Sequence, residues 1–125
     1  MSAEEERDQS RSATHHIRVS KAFFRALCGA ISELSIRTSD LYSFRRLLTH
    51  VLASPRPPVY RADAAILDRL CNPDEVSGGI HLTVRIESRH NDLLREFREH
   101  AEAQLGRPVS VAEAMRVCIF IVTGE

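Results

Sequence analysis

The sequence predicts a mainly α fold carrying one short two-stranded antiparallel β-ribbon. Three observations lead there. A brief alternating stretch containing an arginine occurs twice, at His15-His16-Ile17-Arg18-Val19 and at Ile80-His81-Leu82-Thr83-Val84-Arg85-Ile86. Each is followed by two amphipathic helical patterns. One strand–helix–helix unit cannot bury its own apolar face, so a second copy on the same polypeptide supplies the other half of a shared core.

Element by element, residues 1–13 combine two arginines with four acids and show no apolar periodicity. They read as a disordered acidic tail. Thr14 to Val19 alternates polar and apolar side chains, as a half-buried strand does. Phe23, Phe24, Leu27, Ile31 and Leu34 recur at three- and four-residue spacing and mark one face of a helix. Ser35 to Ser39 breaks that pattern, and Thr38 or Ser39 offers an N-cap for a second helix burying Leu41, Phe44, Leu47, Leu48, Val51 and Leu52. Pro55 ends it.

Residues 55–79 form the connection. Pro55, Pro57 and Pro58 stiffen its start, Ala62 to Cys71 has the pattern of a short helix, and Asn72-Pro73-Asp74 and Ser77-Gly78-Gly79 are turn chemistry. The connection is thus partly helical rather than a floppy tether. The second unit, residues 80–125, repeats the first. Leu82, Val84 and Ile86 alternate with His81, Thr83 and Arg85. Leu93, Leu94, Phe97, Ala101 and Leu105 face one way on a helix that stops at Gly106. Ser110 and Glu113 give the S-x-x-E capping box of the last helix. The run Val117 to Val122 is rich in β-branched residues and fits a strand on propensity alone. The capping box and an all-round apolar surface assign it to a helix buried on every side.

The chain has 125 residues, 43% of them apolar and 27% charged, which is the composition of a soluble globular domain. No apolar run approaches the roughly 20 residues that cross a bilayer, and the N-terminus lacks the features of a secretory signal. A cytoplasmic protein without a membrane span is expected. Cys28, Cys71 and Cys118 are odd in number and lack metal-ligand spacing, so reduced, buried thiols are expected, with no metal and no cofactor. Neither a paired-histidine, a glycine-rich phosphate nor a nucleophile-elbow motif is present, and adjacent His15 and His16 point to opposite faces of a strand. Catalysis is not expected.

Net charge is zero, with 17 basic and 17 acidic residues, which disfavours indiscriminate coating of nucleic acid but leaves room for a small basic face. Residues 14–54 hold that excess, six basic against two acidic, and all basic residues but Lys21 are arginine. Arginine's planar fork suits phosphate and guanine edges. A two-stranded ribbon is narrow enough for the DNA major groove, where each base pair presents a distinct donor and acceptor pattern. Its outward face needs hydrogen-bonding side chains. His16 and Arg18 in one strand and His81, Thr83 and Arg85 in the other meet that need.

The stretch from Leu82-Thr83-Val84-Arg85-Ile86 to Leu105-Gly106-Arg107-Pro108-Val109-Ser110 resembles the ribbon-helix-helix family of DNA-binding proteins. A more degenerate copy runs from His16-Ile17-Arg18-Val19 to Arg37-Thr38-Ser39-Asp40. The resemblance covers nearly the whole chain outside the tail and connection. It implies a single-chain tandem, pseudo-dimeric ribbon-helix-helix fold, monomeric in solution, with double-stranded DNA as partner. The tandem form is similar to accessory factors in T-DNA and plasmid DNA processing and transfer, a virulence or conjugation setting with relaxosome or partition-type proteins as further partners. The DNA-binding residues it implies are His16, Arg18, Lys21, His81, Thr83, Arg85 and Arg89, with Arg107, Ser110 and Ser39 as phosphate contacts near the second-helix N-termini. The first copy lacks the glycine that closes the first helix in the second, and Asp40 stands where a carboxylate would disfavour a phosphate. Arg107 therefore marks the preferred phosphate clamp. An alternative is a protein-interaction or antitoxin-like transcriptional repressor domain of the same fold, which the acids Glu96, Glu99 and Glu102 would suit.

Overall fold

The computed structural model describes residues 12–125. The expected disordered tail lies outside the described residues except for Ser12 and Ala13, and Ala13 already opens the first strand. Strand β1 (Ala13–Val19) leads into α1 (Lys21–Thr38) and α2 (Phe44–Leu52). The connection contributes a 3-10 turn (Pro58–Arg61), α3 (Ala64–Leu70) and the single turn α4 (Pro73–Val76). Strand β2 (Ile80–Ile86), α5 (Ser88–Leu105) and α6 (Val111–Thr123) complete the chain.

β1 and β2 form a two-stranded antiparallel sheet in which Thr14 pairs with Arg85, His16 with Thr83 and Arg18 with His81. Alternation sends Ile17, Val19, Val84 and Ile86 into the core and leaves the polar residues between them in solvent. The apolar face of the ribbon rests on α6 beside β1 and on α2 beside β2. α6 is the central element. It packs against α1, α2, α5 and the connection, and Ala114, Met115, Val117, Cys118 and Ile119 are fully buried in it. Propensity for a strand in this run is therefore overridden by burial, at about 1.5–3 kcal/mol for each large apolar side chain removed from water.

The two strand–helix–helix stretches keep a constant spacing. Ala13 and Ile80 open the strands, Ser20 and Glu87 cap the long helices, Ser39 and Gly106 close them, and Ser43 and Ser110 cap the second helices, every pair standing 67 residues apart. The turn between the helices keeps its conformation although its key residue changes. Ser39 has φ 54° and ψ 38°, and Gly106 has φ 67° and ψ 26°. Both are left-handed, a region glycine enters without steric cost and serine does not.

Four sequence expectations are corrected here. α1 does not break at Ser35 but runs to Thr38, because the Ser35 and Thr38 hydroxyls donate to the carbonyls of Ile31 and Leu34 (both 2.7 Å) and so stay within the helix. Ser39 is consequently the C-cap of α1. The N-cap of α2 is Ser43, whose hydroxyl accepts from the Arg46 N–H at 3.2 Å. Leu41 lies in the loop before α2 and is 83% exposed rather than buried. Cys28 is exposed on α1, while Cys71 and Cys118 are buried.

The connection belongs to the core. Val59, Ala62, Leu67, Leu70, Cys71 and Val76 are buried. Its last turn is clamped on the β1–α1 junction: the Ser20 N–H donates to the Val76 carbonyl (2.8 Å) and the Ser20 hydroxyl to that of Glu75 (2.6 Å). Gly78 then passes so close that a Cβ there would stand 2.5 Å from the Ser20 Cα.

Candidate nucleic-acid interface

The outward face of the ribbon carries six side chains, Thr14, His16 and Arg18 from β1 and His81, Thr83 and Arg85 from β2, all exposed. They form three cross-strand pairs, Thr14–Arg85, His16–Thr83 and Arg18–His81. In the middle pair His16 Nδ1 lies 3.1 Å from Thr83 Oγ1, and the rings of His16 and His81 sit 5.8 Å apart, tilted by 42°. The two arginines stand at diagonally opposite ends. At about 3.3 Å per residue, four residues of strand separate them by roughly 13 Å along the ribbon.

Among the described residues neither Arg18 nor Arg85 has a carboxylate within ion-pair distance. His15, on the other face of β1, is half-buried and bonded through Nε2 to Asn91 Oδ1 at 2.7 Å, a structural role. All the strand residues named from the sequence thus converge on one surface. Thr14 completes it, and only the register of the pairing reveals that it faces Arg85.

The flanking residues separate into two groups. Lys21, at the first position of α1, is exposed. Arg89 is exposed near the start of α5, with Nε 3.4 Å from the Glu87 carboxylate. Ser39, Arg107 and Ser110 are not arranged alike. The Ser39 backbone N–H serves the α1 C-terminus through the Ile36 carbonyl. Ser110 caps α6, accepting from the Glu113 N–H (3.1 Å) and donating to the Glu113 carboxylate (2.8 Å). The Arg107 guanidinium turns to the connection, donating to the Cys71 carbonyl (2.8 Å) and to Asp68 (3.2 Å), with Glu113 3.9 Å away. Arg107 is a structural strut, and the buried Glu113 carboxylate occupies the first turn of α6, where an anion would otherwise be favoured.

The α2 N-terminus has the opposite character. Arg45 is exposed, and Arg46 bridges Asp40 at 2.8 Å while stacking 4.3 Å from the Tyr42 ring centre. That hydrogen bond from Arg46 holds the Asp40 carboxyl below its ordinary acidity range. Asp40 lies in the inter-helix loop, not on α2, and its charge is matched there. The resemblance pointed to the second helix–turn–helix for a phosphate clamp; the second-helix N-terminus that carries exposed arginine is that of the first copy, α2. Arg37, in the last turn of α1, pairs with Glu33 (3.1 Å) and donates to the Val122 carbonyl (3.3 Å).

Beside this end, Tyr42, Arg45, Arg46, Thr49, His50, Glu87 and His90 line a cleft of about 370 Å³. No group of three or more His, Cys, Asp or Glu side chains that could hold a metal occurs among the described residues. No helix among them is long and apolar enough to cross a membrane. In comparisons with protein-family models, curated proteins and solved structures, nothing matches the chain.

Proposed function

We propose that the chain is a double-stranded DNA-binding domain of single-chain, pseudo-dimeric ribbon-helix-helix form, its ribbon entering the major groove. One observation carries this reading. The ribbon offers six exposed polar side chains, and the only two arginines on it lack acidic partners among the described residues. None of these six side chains is part of the buried core. Arginine donates bidentately to guanine O6 and N7, threonine and histidine complement other edges, and the span between Arg18 and Arg85 is close to the roughly 12 Å groove width. The constant 67-residue spacing supports the pseudo-dimer, because His16 pairs with the residue 67 positions on, Thr83, as a twofold relation between the halves would require. Lys21 and Arg45 add flanking charge for phosphates. An accessory role in plasmid or T-DNA processing and transfer is the setting that the resemblance implies.

Fluorescence anisotropy with duplex DNA across salt concentrations tests it. The Arg18→Ala/Arg85→Ala double variant should bind at least about tenfold more weakly, since each lost bidentate contact costs about 1–3 kcal/mol. Unchanged affinity at about 0.1 M salt would remove the ribbon as the reading element.

A protein-interaction reading has its own support. Ile36 at the end of α1 (78% exposed) and Leu41 in the following loop (83%) are large apolar residues in solvent. Recruitment of a partner, such as a relaxosome or partition-type protein, through that corner is compatible with DNA on the ribbon.

A further inference from the structure

The cleft beside α2 has a counterpart in the other half of the molecule, and there it is filled. Moving each lining residue by 67 positions leads from Tyr42, Arg45, Arg46, Thr49 and His50 to Val109, Ala112, Glu113, Arg116 and Val117 on and before α6, and from Glu87 and His90 to Ser20 and Phe23. That second location is covered by the chain itself. α4 packs there against both α1 and α6, and the carbonyls of Glu75 and Val76 accept from Ser20. The covering segment, Asn72 to Ser77, is the stretch that leads into β2, and it carries the acids Asp74 and Glu75. The start of β1 stands beside the open cleft in the corresponding way. β1 begins at Ala13, paired with Ile86, and Ile86 immediately precedes the cleft residue Glu87.

Charge agrees with position. The open cleft presents Arg45, Arg46, His50 and His90, with Arg89 at its edge. The opposing charges in and around it are Glu87, which lies beside Arg89 (3.4 Å) and His90 (3.9 Å), and Asp40, which Arg46 holds. Arg45 has no carboxylate within ion-pair distance among the described residues. Residues 4–8 read Glu-Glu-Glu-Arg-Asp. We propose that the cleft between α2 and the start of α5 is the docking site of the chain's own acidic segment Glu4–Asp8, as its counterpart holds Asn72–Ser77. A tether of a few residues gives such a segment an effective concentration in the millimolar range, so weak electrostatic contacts suffice. The proposal does not depend on DNA binding.

Trypsin cleavage after Arg7 in the full-length chain, followed by mass spectrometry, tests it. The rate is expressed relative to that of a free peptide with the same first 12 residues. Cleavage should be about fivefold slower in the chain than in the peptide at low salt, because it follows the undocked population. The Arg45→Glu/His50→Glu variant should abolish the protection, and so should about 0.5 M salt. A tail variant, Glu4→Gln/Glu5→Gln/Glu6→Gln/Asp8→Asn, leaves the core untouched and should also remove it relative to its own peptide. Equal rates in chain and peptide, or protection that survives the Arg45→Glu/His50→Glu change, would overturn the proposal. Absent protection combined with chemical-shift changes at Arg45 and His50 on adding a synthetic peptide of residues 72–77 would overturn it in favour of another protein's acidic segment.

Discussion

His16 and Thr83 face each other across the ribbon, Nδ1 to Oγ1 at 3.1 Å, and each is the other's counterpart at the 67-residue spacing. Corresponding residues can pair in this way at only one point of an antiparallel ladder. On either side the pairs exchange partners: Thr14 with Arg85, and His81 with Arg18. The arginines are therefore matched while the other positions differ, Thr14 against His81 and His16 against Thr83. A ribbon of this kind presents two similar but distinguishable ends to whatever it meets.

In the DNA-binding reading, Arg18→Ala and Arg85→Ala should each weaken binding by about tenfold while affecting opposite halves of the site. Anisotropy titrations with duplexes altered in one half at a time separate the two. If either arginine contacts a phosphate instead of a base, its loss should lower the salt slope by about 0.9 without changing sequence preference. Identical sensitivity of both variants to every half-site change would exclude base contact.

Ser39→Gly should stabilise the fold by about 0.5–1 kcal/mol, because glycine relieves the left-handed backbone that serine adopts there. Gly106→Ala should destabilise it by a similar amount at the corresponding turn. Urea denaturation of both variants measures the pair, and a destabilising Ser39→Gly change would count against strain at Ser39.

Gly78→Ala should cost about 1–3 kcal/mol, since its Cβ would meet backbone atoms of Val19 and Ser20 rather than a movable side chain. A melting temperature equal to that of the unaltered chain would mean that the clamp between connection and β1–α1 junction yields easily.

Arg107→Ala should destabilise the fold by about 1–3 kcal/mol, because the Cys71 carbonyl loses its charged donor. DNA affinity, if present, should change little. A large loss of affinity in a variant with unaltered thermal stability would return Arg107 to the interface.

The buried thiols predict an alkaline limit to stability. Burial, reinforced by Glu113, pushes the Cys71 thiol from 9.0 up to about 11, and burial drives Cys118 further up. A folded-state value above the unfolded one means that the folded chain holds these protons more tightly. Their contribution is complete below about pH 9 and is lost as pH rises toward 11. Thiol-specific alkylation at pH 8 should label Cys28 rapidly, and Cys71 and Cys118 only on unfolding. Equal labelling of all three in the folded chain would contradict this burial.

The ribbon was legible because period-two alternation in Leu82-Thr83-Val84-Arg85-Ile86 admits one assignment of inside and outside. α6 was legible through Ser110 and Glu113 even against β-branched propensity. The first inter-helix turn was not. Ser35 and Thr38 carry a turn-like composition, but their hydroxyls bond back to the preceding helical turn, and that choice depends on local geometry. Leu41 fits the apolar period of α2 and yet precedes its cap. The destination of Arg107 was hidden for a different reason: its acceptors, Cys71 and Asp68, are more than thirty residues away. The basic cleft was likewise invisible, since His50 and His90 come from helices in different halves of the chain.

The connection between the halves, with Val59, Leu67 and Val76 set in the core, also changes how the fold answers to concentration. Both strands of the ribbon belong to one polypeptide, so forming it is a unimolecular event. Dilution cannot separate β1 from β2. The unfolding midpoint should therefore stay the same from micromolar to nanomolar protein, the range in which a domain assembled from two separate chains begins to dissociate and lose its ribbon.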